Sequence, residues 1–266
     1  MTIQPALTAP GTVTFAGAGP GSADMLTMGV FRAMQAADVV IHDRLVGQEV
    51  LDLIPAHVTR VDVGKEGFGP STPQSAINAL IVGHTGTGAR VLRLKGGDCA
   101  IFGRLDEEIE ALDAAGIAFN ILPGLTSASA AAAAIGQSLT KRGRNRGLRI
   151  VTGHDMDGFA DQDWKGLART GEVAAIYMGK KASRFLQGRL MMHGASPDTP
   201  VTLVENASRP DQRIIEARLS TLADCATRLT GPAILLYGLA PRAAVHALTD
   251  LPAADQNASQ MNGATA

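Results

Sequence analysis

The sequence predicts an α/β protein of two domains, each a mostly parallel or mixed sheet flanked by helices. Three observations predict it. Short runs rich in β-branched residues alternate with longer helix-forming runs, the pattern of parallel strands joined by crossover helices. Four of the strand-like runs in the first half end in polar or glycine-rich signatures: GAGPG at 17–21, HDRLV at 42–46, VGKEG at 63–67 and LKGGDCAIFGR at 94–104. Between residues 140 and 147 (TKRGRNRG) the texture changes, with no apolar residue, four basic ones and two glycines. That octapeptide reads as a basic linker, dividing the chain into residues 11–139 and 148–245.

Each element follows in order. Residues 13–16 (VTFA) read as a strand that ends in the first glycine-rich turn. A helix is expected over 24–37, with Ser22 and Asp24 both suited to capping its first amides. Residues 39–41 form the next strand, ending at His42-Asp43-Arg44, and 59–63 a third, ending at Gly64-Lys65 before a breaker-rich loop. A helix over 74–84 leads to the strand 90–94, which ends at Lys95-Gly96-Gly97-Asp98. A polar helix at 105–115, a strand at 119–122 and a small-residue helix at 127–136 complete the first half. In the second half, 148–152, 173–178, 201–204, 213–217 and 233–237 read as strands, and 163–169 and 183–193 as helices. The strand at 213 follows the turn at 207–212 so closely that an antiparallel hairpin and a mixed sheet are expected. Residues 252–266 are small and polar and read as a disordered tail.

Composition narrows the function. A chain of 266 residues, 45% apolar and 18% charged, can bury the core of a globular protein. Its formal charge of −1, from 24 basic and 25 acidic side chains, argues against wholesale nucleic-acid binding. Seven Phe, two Tyr and one Trp leave little for a base-stacking platform. The two cysteines, Cys99 and Cys225, stand in no C-x-x-C spacing, so neither a disulfide framework nor a cysteine zinc site is expected. No secretory signal opens the chain and no apolar stretch is long enough to cross a bilayer, so the expected location is cytoplasmic, away from membranes.

The GAGPG turn invites a nucleotide reading, because glycines between a strand and a helix let backbone amides approach a phosphate. A dinucleotide fingerprint needs a sixth glycine, however, and Ser22 stands there; Pro20 also removes a donor. A nucleotide-dependent oxidoreductase therefore rests on this one loop alone. Taken singly, Asp43, Arg44, Lys65, Asp98 and Arg104 are ordinary turn or ion-pair residues. Taken together at one sheet edge, beside the paired glycines 96 and 97, they point to a ligand site beyond the carboxyl ends of the strands.

In chain order the motifs are GAGPGSADMLT, HDRLV, VGK, LKGGDCAIFGR, PGLTSASAA, LTKR, VTGH, IYMG and VENASRPDQR. From about Thr12 to Leu239 this series resembles the uroporphyrinogen-III C-methyltransferases, members of the tetrapyrrole methylase superfamily. The resemblance implies a two-domain tetrapyrrole methylase fold with the active site in the interdomain cleft, usually in a homodimer. It also implies S-adenosyl-L-methionine as methyl donor, S-adenosyl-L-homocysteine as product and no metal. The implied reaction methylates uroporphyrinogen III at C-2 and C-7, giving precorrin-2 by way of precorrin-1, for siroheme, cobalamin or related tetrapyrroles.

Carried over by position, the resemblance assigns donor binding to Pro20, Gly96, Gly97, Asp98, Ile101, Thr126, Ser127, Met178 and Ala207. It assigns proton acceptance to Asp43 and proton donation to Lys65. The acceptor's acetate and propionate groups call for forked cations, for which Arg44 and Arg104 are the candidates, with Lys141 and Arg142 extending the surface. Arg209 is expected to be structural. The chain departs from the family pattern at Cys99-Ala100 (usually Pro-Phe), Leu105-Asp106 (usually Gly-Gly), Lys141 (usually His) and Ala207 (usually Gly). Those departures leave room for a superfamily relative acting on a later precorrin or on RNA, the latter resting on the basic 141–149 segment. They also leave room for a silent ligand-binding module. At this length no second catalytic unit for oxidation or iron insertion is expected.

Overall fold

The structure, a computed structural model, describes residues 9–64 and 72–243. Lys65 and the expected tail at 252–266 lie outside the described residues. The first half contains β1 (Val13–Gly17), α1 (Met28–Ala36), β2 (Val39–His42), α2 (Gln48–Leu51), β3 (Thr59–Asp62), α3 (Gln74–Gly86), β4 (Val91–Lys95), α4 (Leu105–Ala115), β5 (Phe119–Leu122) and α5 (Ser127–Ala134). Its five strands form one sheet in the order β3-β2-β4-β1-β5, parallel at every pairing. Central strands β1, β2 and β4 are buried along their whole length, as expected of a parallel sheet covered on both faces. Side chains alternate across it. Ala16, Val40 and Leu92 pack under Val30, Ala33 and Met34 of α1, whereas Phe15, Ile41 and Val91 pack under Ile77, Ile81 and Leu112 of α3 and α4.

The second half contains β6 (Arg149–Thr152), the short hairpin β7 (His154–Asp155) and β8 (Gly158–Phe159), α6 (Trp164–Leu167), β9 (Ala174–Tyr177), α7 (Gly179–Met192), β10 (Pro200–Glu205), β11 (Arg213–Arg218), α8 (Leu222–Ala226) and β12 (Ala233–Tyr237). The larger sheet runs β11-β10-β12-β9-β6. It is mixed: β6 and β9 are parallel, while β9-β12, β12-β10 and the expected hairpin β10-β11 are antiparallel. One face packs on Trp164, Leu186 and Leu190. The other receives α5 from the first half, whose Ala128, Ala130 and Ala131 meet Ala175, Val204, Ile234 and Leu236. Alanines on that helix let it lie close against the sheet, and the two sheets are thereby held side by side.

Several local expectations shift. The helix expected at 24–37 is a single 3-10 turn (Ala23–Met25) capped by Ser22, followed by α1, whose third amide, Val30 N, donates to Thr27 Oγ1 (3.3 Å). Two competing caps a few residues apart break one helix into two. The last long helix starts at Gly179 rather than at 183. The 140–147 segment is a turn organised by one side chain. Asn145 Oδ1 accepts from Lys141 N (3.1 Å), and its Nδ2 donates to Leu139 O (2.9 Å) and Gly147 O (2.7 Å).

Candidate active site

A cavity of about 720 Å³ opens between the two sheets. It gathers the loops after β1, β2 and β4, the start of α5, the β6-β7 and β9-α7 junctions, the loop after β10 and residues 231–234. All nine expected donor positions line it, together with Asp43 and Arg104. Arg44, Lys141 and Arg142 do not. Arg44 is exposed and lies against Gly64; Lys141 and Arg142 line a separate hollow of about 400 Å³ with Thr140, Gly143, Asn145 and Arg146.

Close backbone packing builds the first-sheet side. A Cβ on Gly17 would stand 2.5 Å from Gly124 N and 2.6 Å from Gly97 O, so three strand ends meet with no room for a side chain. Gly19 and Gly97 exchange hydrogen bonds, the Gly19 amide donating to Gly97 O (3.1 Å) and the Gly97 amide to Gly19 O (2.7 Å). Gly97 itself has φ +73°, and the space where its Cβ would stand is open. Asp98 accepts from the Ala100 amide at 2.8 Å, which curls the loop after the glycines. Cys99 then turns inward and is fully buried. Burial pushes its thiol up to about 11.

Across the cavity, Thr126 Oγ1 and Tyr177 Oη share a hydrogen bond, and the Ala128 amide donates to the same Tyr177 oxygen. The Phe102 ring lies 5.3 Å from that of Tyr177. The loop after β10 is tied to the first half by Arg209 Nη2, which donates to Leu45 O (2.7 Å), and by Ser208 Oγ, which accepts from the Ser22 amide (3.0 Å). Among the described residues, the non-glycines with positive φ are Phe102, Arg104, Met178, Asn206 and Ser208. Four of them line the cavity and the fifth is beside it, the clustering of backbone strain that ligand sites show.

Charge is concentrated on the floor. Glu108 Oε1 accepts from Arg93 Nε (3.1 Å), Lys95 Nζ (2.9 Å) and Gln74 Nε2 (3.2 Å). Arg93 also reaches Asp43 Oδ2 at 3.9 Å, and Asp43 Oδ1 accepts from the Leu45 (3.2 Å) and Gly96 (3.4 Å) amides. Burial, then the neighbouring Arg93, holds the Lys95 ammonium below the usual lysine range. Arg93, Lys95 and Glu108 escaped the sequence reading. The available signal was two cations at alternate positions of an otherwise apolar strand, VLRLK. Arg104 is half-exposed and its guanidinium is forked onto Glu107, with Nε donating at 2.7 Å and Nη2 at 2.6 Å. His154, Lys180, Lys181 and residues 231–234 also line the cavity unforeseen. No cluster of three or more His, Cys, Asp or Glu among the described residues is arranged to hold a metal ion.

A parallel sheet and a mixed sheet sharing a glycine-built cavity define the class. The chain belongs to the tetrapyrrole (corrin/porphyrin) methylases, a family that matches residues 12–223. Within it, the chain is 45% identical over 229 residues to the siroheme synthase of Edwardsiella ictaluri and 43% identical over 228 residues to siroheme synthase 1 of Aeromonas hydrophila. Each match covers 86% of this chain and 49% of the relative; the chain spans about half the length of these curated relatives. Among solved structures it is similar to the uroporphyrin-III C-methyl transferase of Thermus thermophilus complexed with S-adenosylhomocysteine, with TM-score 0.74 and 34% identity over 85% of this chain and 97% of that one. Cobalt precorrin-4 methyltransferase, at TM-score 0.75 and 24% identity, shares the fold.

Proposed function

We propose that the chain transfers methyl groups from S-adenosyl-L-methionine to C-2 and C-7 of uroporphyrinogen III, giving precorrin-2 by way of precorrin-1 for siroheme, cobalamin or a related tetrapyrrole. One observation carries the reading: every expected donor position stands on the wall of a single cavity, in a chain similar over 85% of its length to a methyltransferase solved with the spent donor. The residues fit that donor. Adenine and ribose are neutral, and the open space at Gly97 and the small side chains of Thr126, Ser127 and Ala207 suit them. When bound, the donor supplies a methyl group on a positively charged sulfur, reactive toward an electron-rich ring carbon.

The chain's own residues hold the partners and take up a proton. Alignment of the two substrates in one cavity supplies much of the acceleration. Asp43 is the base that takes the proton the macrocycle loses once its ring carbon has been alkylated. Its Oδ1 is occupied by two amides, while among the described residues the partner of Oδ2 is the Arg93 guanidinium at 3.9 Å. Lys65, outside the described residues, is the proposed proton donor. Arg104 is the expected carboxylate clamp that stands at the cavity, where an incoming carboxylate competes with Glu107 for the guanidinium fork. The assembly proposed is a cytoplasmic homodimer, for which light scattering should return twice the chain mass.

The test is anaerobic incubation of the purified chain with labelled S-adenosylmethionine and uroporphyrinogen III, following label and product mass. Two methyl additions are expected; no transfer would contradict the reading. Asp43→Asn should lower turnover by about 100-fold or more, and near-normal turnover across pH would remove Asp43 as the base.

A further inference from the structure

The expected acceptor clamps leave a gap. Arg44, Lys141 and Arg142 stand away from the cavity, and the other cations on its wall are already engaged. Arg93 and Lys95 are held by Glu108, Arg104 by Glu107, and Arg209 by the Leu45 carbonyl. Lys180 and Lys181 differ. Both line the cavity, Lys180 half-buried and Lys181 exposed, and neither side chain has an ion pair or hydrogen bond among the described residues. From this contrast we infer that Lys180 and Lys181, beside His154, form a subsite for carboxylates of the acceptor on the second-sheet wall.

Local structure sharpens the case. The two lysines fall in the first turn of α7, a fourteen-residue helix with no acidic residue in that turn and no side-chain cap from Met178. Cations at the positive end of a helix are unfavourable, and here two stand there uncompensated. His154 adjoins this turn through Gly153, whose amide donates to Tyr177 O at 2.7 Å and whose Cβ would stand 3.0 Å from Gly179 Cα. The imidazole is set by Phe159, ring centroids 5.0 Å apart, and its Nε2 is buried with no hydrogen-bond partner among the described residues. Two lysines without a side-chain partner and an imidazole whose Nε2 is unspent therefore belong to one part of the cavity wall. The donor does not suit it: a sulfonium and an ammonium outweigh its single carboxylate, so it is a net cation. A macrocycle bearing acetates and propionates is the complementary ligand.

This inference rests on the methyltransfer reading and is tested apart from it. The full-length Lys180→Gln/Lys181→Gln chain is compared with wild type in three measurements: anaerobic kinetics with uroporphyrinogen III, fluorescence titration with the stable oxidised uroporphyrin III at several salt concentrations, and calorimetry with S-adenosylhomocysteine. The expected result is an increase of about tenfold in acceptor KM and porphyrin Kd, exceeding any fall in kcat, with a weaker salt dependence. Affinity for S-adenosylhomocysteine should stay within about twofold of wild type, and Lys180→Arg/Lys181→Arg should restore porphyrin binding. Unchanged porphyrin affinity, a loss confined to S-adenosylhomocysteine, or a wild-type chain that fails to bind uroporphyrin III would each overturn the subsite. A wild-type chain that binds the porphyrin with the expected lysine dependence yet transfers no methyl group would sink the methyltransfer reading alone.

Discussion

Replacing Glu108 by Gln strips the shared counter-ion from two cations that have little water to fall back on. The Glu108 carboxylate has no exposed surface, and the Arg93 and Lys95 side chains are 3% and 5% exposed. Its contacts are 2.9 Å to Lys95 Nζ and 3.1 Å to Arg93 Nη2. Removing one partner of a buried ion pair costs about 3–5 kcal/mol, because the remaining charge is left uncompensated. A glutamine oxygen still accepts one hydrogen bond, so the lower end applies, about 3 kcal/mol. For a protein near this size that lowers Tm by roughly 6–12 °C. Circular-dichroism melting of wild type and Glu108→Gln measures the loss directly. Adding Lys95→Met to the same chain removes one of the stranded cations, so the double variant should melt above the single one. A Glu108→Gln Tm within about 2 °C of wild type, or a double variant that loses the sum of both changes, would refute the shared-anchor account.

Other expectations follow from single observations. Gly97→Ala meets no atom within 4 Å but must hold φ +73°; it should cost about 1 kcal/mol of stability while calorimetry shows S-adenosylhomocysteine affinity reduced by about tenfold or more. Cys99, its thiol near 11, is about one part in a thousand thiolate at pH 8, so a thiol-reactive dye should label Cys225 in the native chain and Cys99 only on unfolding; two fast-labelling thiols would contradict its burial. The Arg90 guanidinium and amide hold the Asp38 carboxyl at about 2. The unfolded chain, with an Asp near the ordinary ~3.9, then binds more protons than the folded one below that pH. Stability from this pair is present above about pH 4 and is lost as pH falls toward 2. Asp38→Asn should flatten that acid limb by less than about 1 kcal/mol, since both side chains are partly exposed, which urea titrations at several pH values would read.

The parallel sheet was legible because its central strands are buried on both faces, so that β2 reads as the unbroken β-branched run Val39-Val40-Ile41. Bounds of α4, β5 and β12 match their expected ranges because apolar period and breakers agree there. The start of α7 was hidden because Gly179-Lys180-Lys181 carries no apolar side chain, and the buried apolar side chains begin only at Ala182. At the site, the expected donor positions came from motifs whose order along the chain is informative, and they line one cavity. Of the expected acceptor clamps, Arg104 lines that cavity and Arg44, Lys141 and Arg142 do not. Whether Arg104 is free depends on Glu107 one turn onward, and whether Arg44 faces the cavity depends on how it packs on Gly64. Arg93 and Lys95 reach Glu108 only once α4 folds over β4, which no local pattern reveals.

The most direct measurement is a crystal structure of the chain grown with S-adenosylhomocysteine. The adenosyl group should lie in the space between the sheets, against Gly96, Gly97 and Asp98 on one side and Met178 and Ala207 on the other. Density for it on any other surface, or side chains filling that space at saturating ligand, would contradict the account.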